Sequence, residues 1–161
     1  MTISPIIDAH ALPSPVAIAT IGIVVPARNE ERRLPRCLAA LESAAGALRR
    51  SEASAPRVRI IVVVDGCTDR TREIAAGWAG VDVVVIDAGR VGAARASGIG
   101  HLLAAEAAAG TEAQQVWIAC TDADSAVPTD WLQTQLPLAR SGADMVLGTA
   151  ESASVQAIQT C

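Results

Sequence analysis

Ile18-Ala19-Thr20-Ile21-Gly22-Ile23-Val24-Val25, followed at once by Pro26-Ala27-Arg28-Asn29-Glu30, is the stretch that decides the fold. A half-exposed strand would alternate apolar and polar residues, whereas here Ile and Val run almost without interruption, as in a strand covered on both faces. Val58 to Val64 has the same character. Strands of this kind belong to parallel sheets flanked by helices. Val81 to Ile86, Gln115 to Cys120 and Asp144 to Gly148 complete a set of five predicted strands. The predicted class is therefore α/β, a mostly parallel, Rossmann-like sheet with helices on both faces.

The intervening segments carry the helical period. Leu34, Leu38, Leu41, Ala45 and Leu48 fall on one face of a helix. Pro35 is tolerated only in a first turn, which places the start of this helix near Arg33 and leaves 27–32 as a loop. Further helices are predicted over Arg70 to Trp78, Val91 to Ala109 and Pro128 to Arg140, with 51–56 as a small-residue linker. Residues 1–17, with Pro5, Pro13 and Pro15 and no periodicity, are expected to form an extended leader. Residues 18–150 then make one domain and 151–161 a tail.

Composition narrows the function classes. A chain of 161 residues is long enough for a single well-buried core, and 51% hydrophobic against 19% charged residues excludes disorder for its bulk. The net charge is −4 with no basic stripe, so nucleic acid is not an expected partner. The apolar runs are far below the roughly 18 residues that a membrane-spanning helix needs. The N-terminus lacks the basic and continuous apolar regions of a secretory signal, so a cytoplasmic location is expected, with peripheral attachment to a membrane left open. Cys37, Cys67, Cys120 and Cys161 stand far apart, with only His10 and His101 to join them, which indicates neither a disulfide framework nor a zinc site. All basic residues are Arg, and Phe and Tyr are absent, a bias read as a property of the genome.

In an open parallel sheet, ligands sit outside the carboxyl ends of the strands, so the loops after the strands are where chemistry is expected. Three of them carry acids: Glu30 after the first, Asp65 to Asp69 after the second, and Asp122-Ala123-Asp124 after the fourth. Asp122 and Asp124, separated by one small residue, can turn two carboxylates toward one hard cation and leave its other positions to phosphate oxygens. Nine Asp in this chain make about half such a triplet by chance, so its position at a strand end is what gives it weight. A turn that merely caps the next helix would also place acids there. Thr68 or Asp69 is a suitable N-cap for the helix from Arg70, and Glu30 could cap the helix after it. Asp65, at the strand end itself, is better placed to accept hydrogen bonds from a ligand.

Gly89-Arg90-Val91-Gly92-Ala93-Ala94-Arg95 combines small residues that allow close backbone approach with arginines that could meet phosphate. Read alone, this segment also suits a solvated helix face. Its glycine spacing is neither a dinucleotide fingerprint nor a P-loop, which disfavours a dehydrogenase or an NTPase. A phosphate-accepting signalling domain also places acids at strand ends, but it would call for a Lys, and this chain has none.

Together and in order, IGIVVPARNEERRLPRCL, IIVVVDGCTDRT, GRVGAARASGI and WIACTDADSAVPTDWL, followed by GADMVLGTA, resemble the N-terminal part of a family 2 glycosyltransferase of the GT-A fold. The resemblance covers residues 20 to about 150. It implies a hexosyltransferase-type enzyme that uses a nucleotide-diphosphate sugar donor with Mg²⁺ or Mn²⁺ and passes the sugar to an acceptor hydroxyl. Carried over by position, it implies that Pro26, Arg28 and Glu30 form the nucleoside pocket, with Asp65 near the base and Arg95 against the nucleotide. It further implies that Asp122 and Ala123 contact the donor and that Asp122 and Asp124 hold the metal of a DxD motif. Many relatives have two adjacent acids where this chain has Val64 and Asp65. The family continues for several elements after the Asp-x-Asp strand, including the acceptor pocket and the general base, so no catalytic residue is expected before Cys161. The chain is accordingly read as truncated, acting alone on its donor or with a partner chain or second copy. The alternative is a non-catalytic fragment that binds the nucleotide sugar.

Overall fold

The computed structural model describes residues 17–148. It contains four strands, β1 (Thr20–Ala27), β2 (Arg57–Asp65), β3 (Val81–Ile86) and β4 (Val116–Cys120), and four helices, α1 (Leu34–Ser51), α2 (Thr71–Ala76), α3 (Val91–Ala108) and α4 (Trp131–Arg140). The strands form one parallel sheet in the order β3-β2-β1-β4. Val24 pairs with both Ile61 and Cys120, which sets the register across the centre.

The continuous Ile and Val of β1 follow from its position. Every residue of this strand is buried, because it lies second from one edge and has helices on both faces. Ile21, Ile23 and Val25, together with Ile60, Val62 and Val64, face a core shared with Leu34, Leu38 and Leu41 of α1 and Leu132 and Leu136 of α4. Val24, Ile61 and Val63 face the other way, onto Ala94 and Leu102 of α3. One helix thus covers one face while α1, α2 and α4 cover the other.

The α3 face is unusually close. A Cβ built on Gly22 would lie 2.0 Å from Leu102 Cδ2, and one on Gly98 would lie 2.6 Å from Val24 Cγ1 and 2.7 Å from Val63 Cγ2. Glycine at these two positions lets α3 lie against the sheet.

At the amino ends of the strands, Glu106 of α3 is 1% exposed and accepts hydrogen bonds from Thr20 Oγ1 (2.7 Å), Arg57 Nη2 (3.0 Å) and Arg59 Nη1 (3.2 Å). Burial pushes its carboxyl up, but the hydrogen bonds from Thr20, Thr111 and Arg59 and the charge of Arg57 outweigh this and hold it below the ordinary range. This cluster ties the far end of α3 to β1 and β2, opposite the loops discussed next.

The predicted strand at Asp144 to Gly148 is corrected: residues 144–148 lie in no strand. A strand needs a ladder partner, and among the described residues β4 pairs only with β1. Met145 and Leu147 of the segment are 72% and 85% exposed. The proposed leader, apart from residue 17, and the proposed tail lie outside the described residues. No described helix is long and apolar enough to cross a membrane.

Candidate functional site

From β1 the chain moves through β2 to β3 on one side and then returns through α3 to place β4 on the other side of β1. Between β1 and β4 the connections diverge, so their carboxyl ends leave a crevice. A cleft of about 400 Å³ opens there. Pro26, Arg28 and Glu30 come to it from the end of β1, Asp65 from β2, Arg95 from α3, and Asp122, Ala123 and Asp124 from the loop after β4. All eight residues singled out in the sequence line this one cleft.

The loops are held by their own side chains. Asn29 takes a left-handed conformation (φ 56°), and its Oδ1 accepts the Thr68 N–H at 2.8 Å. Asp69 accepts the N–H of Thr71 at 3.0 Å and that of Glu31 at 3.1 Å. It therefore serves both the start of α2 and the loop after β1. Glu30 donates its N–H to Thr71 Oγ1 at 2.8 Å, and its carbonyl receives the Leu34 N–H at 2.9 Å as α1 begins. Its carboxylate approaches Arg33 at 3.4 Å.

Asp65 has a role that the sequence did not reveal. Its Oδ1 accepts the N–H groups of Ala88 (2.7 Å) and Gly89 (2.9 Å), and its Oδ2 accepts that of Arg90 (3.0 Å). With 4% exposure, this carboxylate organises the loop that leads into α3. The Gly89 hydrogen bond, aided by those of Ala88 and Arg90 and by the charge of Arg28, outweighs desolvation and holds its carboxyl below the usual carboxylate range. Gly89 has φ +64°, and a Cβ there would lie 3.1 Å from Arg28 Nη1. The glycine therefore serves both the turn and the approach of a guanidinium.

Gly89, Arg90, Val91 and Ala94, from the segment whose small residues and arginines suit a phosphate ligand, also line the cleft.

Arg95 Nη2 donates to Asp122 Oδ1 at 2.6 Å, with the two side chains 38% and 56% exposed. Arg95 Nε is buried and has no hydrogen-bond partner among the described residues. Asp122 and Asp124 are exposed, while Ala123 between them is buried at 3% and anchors the turn. Cys37 Sγ donates to the Asp122 carbonyl at 3.5 Å. Burial first, then the charges of Asp124 and Asp122, push the Cys37 thiol up to about 11. No group of three or more His, Cys, Asp or Glu side chains able to hold a metal occurs among the described residues.

The fold is shared with crystal structures of S. aureus TarS. TarS 1-349 matches with TM-score 0.55 and 18% identity over 74% of this chain and 32% of that one. The longer TarS structure matches with the same score and identity over 19% of its length. TarS 1-349 in complex with UDP matches with TM-score 0.52 and 19% identity over 31% of its length. The chain thus spans a third or less of these structures. No curated protein shows significant sequence similarity to it. The predicted α/β class, with the parallel sheet of a GT-A domain, is the fold observed. The family model described as Glycosyl transferase family 2 matches residues 22–157, nearly the whole folded region, and the chain belongs to that family.

Proposed function

We propose that the cleft binds the nucleoside diphosphate part of a sugar donor together with Mg²⁺ or Mn²⁺, as the donor half of a hexosyltransferase acting on an acceptor hydroxyl. The observation that carries this reading is the convergence of Arg28 from the end of β1, Arg95 from α3, and Asp122 and Asp124 from the end of β4 on one crevice. The UDP in the TarS complex supports a uridine nucleotide as the first ligand to test.

Charge favours a cation-assisted ligand. Arg28, Arg90 and Arg95 face Glu30, Asp65, Asp122 and Asp124, so three positive charges meet four negative ones. A diphosphate entering this cleft alone would meet a net negative wall. Asp122 and Asp124 would hold a divalent cation, which would reverse that sign and would supply Lewis-acid stabilisation to a departing diphosphate. Arg28 and Arg95, which also line the cleft, add positive charge to meet the negative charge that would develop on the leaving group. Pro26 and Ala27 offer an apolar wall to the nucleoside, and Asp65 holds the loop of Gly89 and Arg90 in place beneath it. The acceptor and the general base are not assigned to any described side chain.

Calorimetric titration of UDP, GDP and ADP, with and without Mn²⁺, tests this. Binding of one of them is expected to require Mn²⁺ and to weaken at least about tenfold in Asp124→Asn, while stability changes by less than about 1 kcal/mol because the carboxylate is exposed. Cation-independent binding that Asp124→Asn leaves unchanged overturns the reading. If UDP-sugar is bound with Mn²⁺ but no UDP is ever released, the chain binds its donor without transferring the sugar.

A further inference from the structure

We infer that Arg95 is a coupling latch: by pairing with Asp122, it competes with a cation for that carboxylate and so strengthens the dependence of cation binding and diphosphate binding on each other. The inference rests on the donor-site reading above and adds to it an order of events. The two carboxylates of the Asp-x-Asp turn are not equivalent. Asp122 Oδ1 is held at 2.6 Å by Arg95 Nη2, whereas Asp124 forms no ion pair among the described residues and only receives a long contact, 3.5 Å, from Ser125 Oγ. A cation arriving alone therefore meets one free carboxylate and one that is already neutralised. To use both it must break the ion pair and remain close to the guanidinium.

The stem of Arg95 cannot retreat with the helix. Gly98, one turn further along α3, is packed directly onto Val24 and Val63, so only the side chain can move. Its Nε is buried without a partner among the described residues, which leaves one of its donors unused. Diphosphate oxygens carry more charge than one carboxylate and can engage the planar fork of Arg95 at two points. Once Arg95 turns to them, Asp122 Oδ1 is released for the cation. By linkage, whatever factor the diphosphate contributes to cation affinity, the cation contributes equally to diphosphate affinity.

The test is Mn²⁺ binding to the full chain, followed by the paramagnetic resonance of free Mn²⁺, with and without UDP. A guanidinium about 6 Å from a divalent ion in a water-like medium weakens its binding about tenfold. Arg95→Met is therefore expected to bind Mn²⁺ alone about tenfold more tightly than the wild type, and UDP is expected to enhance its Mn²⁺ binding about tenfold less than in the wild type. Arg95→Gln, with a polar side chain, should give the same result, so the outcome does not depend on the folding of one variant. Arg95→Lys keeps the charge and should leave Mn²⁺ affinity near that of the wild type. Unchanged or weaker Mn²⁺ binding in Arg95→Met and Arg95→Gln overturns the latch, as does Mn²⁺ affinity in the wild type that is indifferent to bound UDP. If neither protein binds UDP under any condition, the donor-site reading itself fails and the coupling fails with it.

Discussion

Gly98→Ala should destabilise the protein, while Gly100→Ala, two residues away on the same helix, should stabilise it. Both substitutions add one methyl group within α3, and both relieve the entropic disadvantage of glycine in a helix by up to about 1 kcal/mol. They differ in what the methyl meets. At position 100 there is nothing within 4 Å. At position 98 it would lie 2.6 Å from Val24 Cγ1 and 2.7 Å from Val63 Cγ2, about 1 Å inside ordinary carbon contact distance. Val24 and Val63 are fully buried, and β-branched side chains have few rotamers with which to turn away. The helix must lift or the strands must bend, and overpacking of this kind costs about 1–3 kcal/mol. After the propensity gain of about 1 kcal/mol is subtracted, a net loss of up to about 2 kcal/mol remains, equivalent to a melting temperature lower by up to about 10 °C for a domain of this size. Thermal unfolding followed by circular dichroism measures both variants. If Gly98→Ala melts at or above the wild type, the close approach of α3 to the sheet is wrong.

Three further outcomes follow from individual side chains. Asp65→Asn replaces one acceptor oxygen by a donor against three backbone N–H groups. It should lower hydrogen-exchange protection of the Ala88, Gly89 and Arg90 amides and weaken UDP binding. Because the folded-state pKa of Asp65 is depressed, its stabilisation is complete above the unfolded value of about 3.9 and fades as pH falls through the folded value; the variant should lack that part of the acid dependence. Glu106→Gln should cost about 2–3 kcal/mol in urea unfolding, since it removes charge-assisted hydrogen bonds from Arg57 and Arg59. UDP affinity should stay the same, because this cluster lies at the opposite end of the sheet. The Cys37 thiol, pushed up to about 11 by burial first and then by the charges of Asp124 and Asp122, should titrate at lower pH in Asp124→Asn than in the wild type; ultraviolet absorbance of the thiolate reports this, and an unmoved titration counts against the closeness of the turn to Cys37.

What the sequence determined by itself was the layer structure and the positions of the site loops. The uninterrupted Ile and Val of β1 and β2 require cover on both faces, and Pro35 marks the first turn of α1, because burial and backbone geometry act locally and leave their mark in residue type. The acids at the strand ends were legible for the same reason: in a parallel sheet, all carboxyl ends open on one side.

Only the tertiary structure decided what those side chains do. Asp65 looks from its position like a ligand contact, yet its three partners lie 23 to 25 residues away on the loop after β3, and no local pattern encodes that meeting. The pairing of Arg95 with Asp122 spans 27 residues and depends on how closely α3 lies on the sheet, which Gly22 and Gly98 permit. The stretch from Asp144 to Gly148 shows the opposite case: its residues favour a strand, but a strand exists only where a neighbour completes its hydrogen bonds. Periodicity and burial are properties of a segment, whereas hydrogen-bond partners and ion pairs are properties of pairs of segments brought together by the fold.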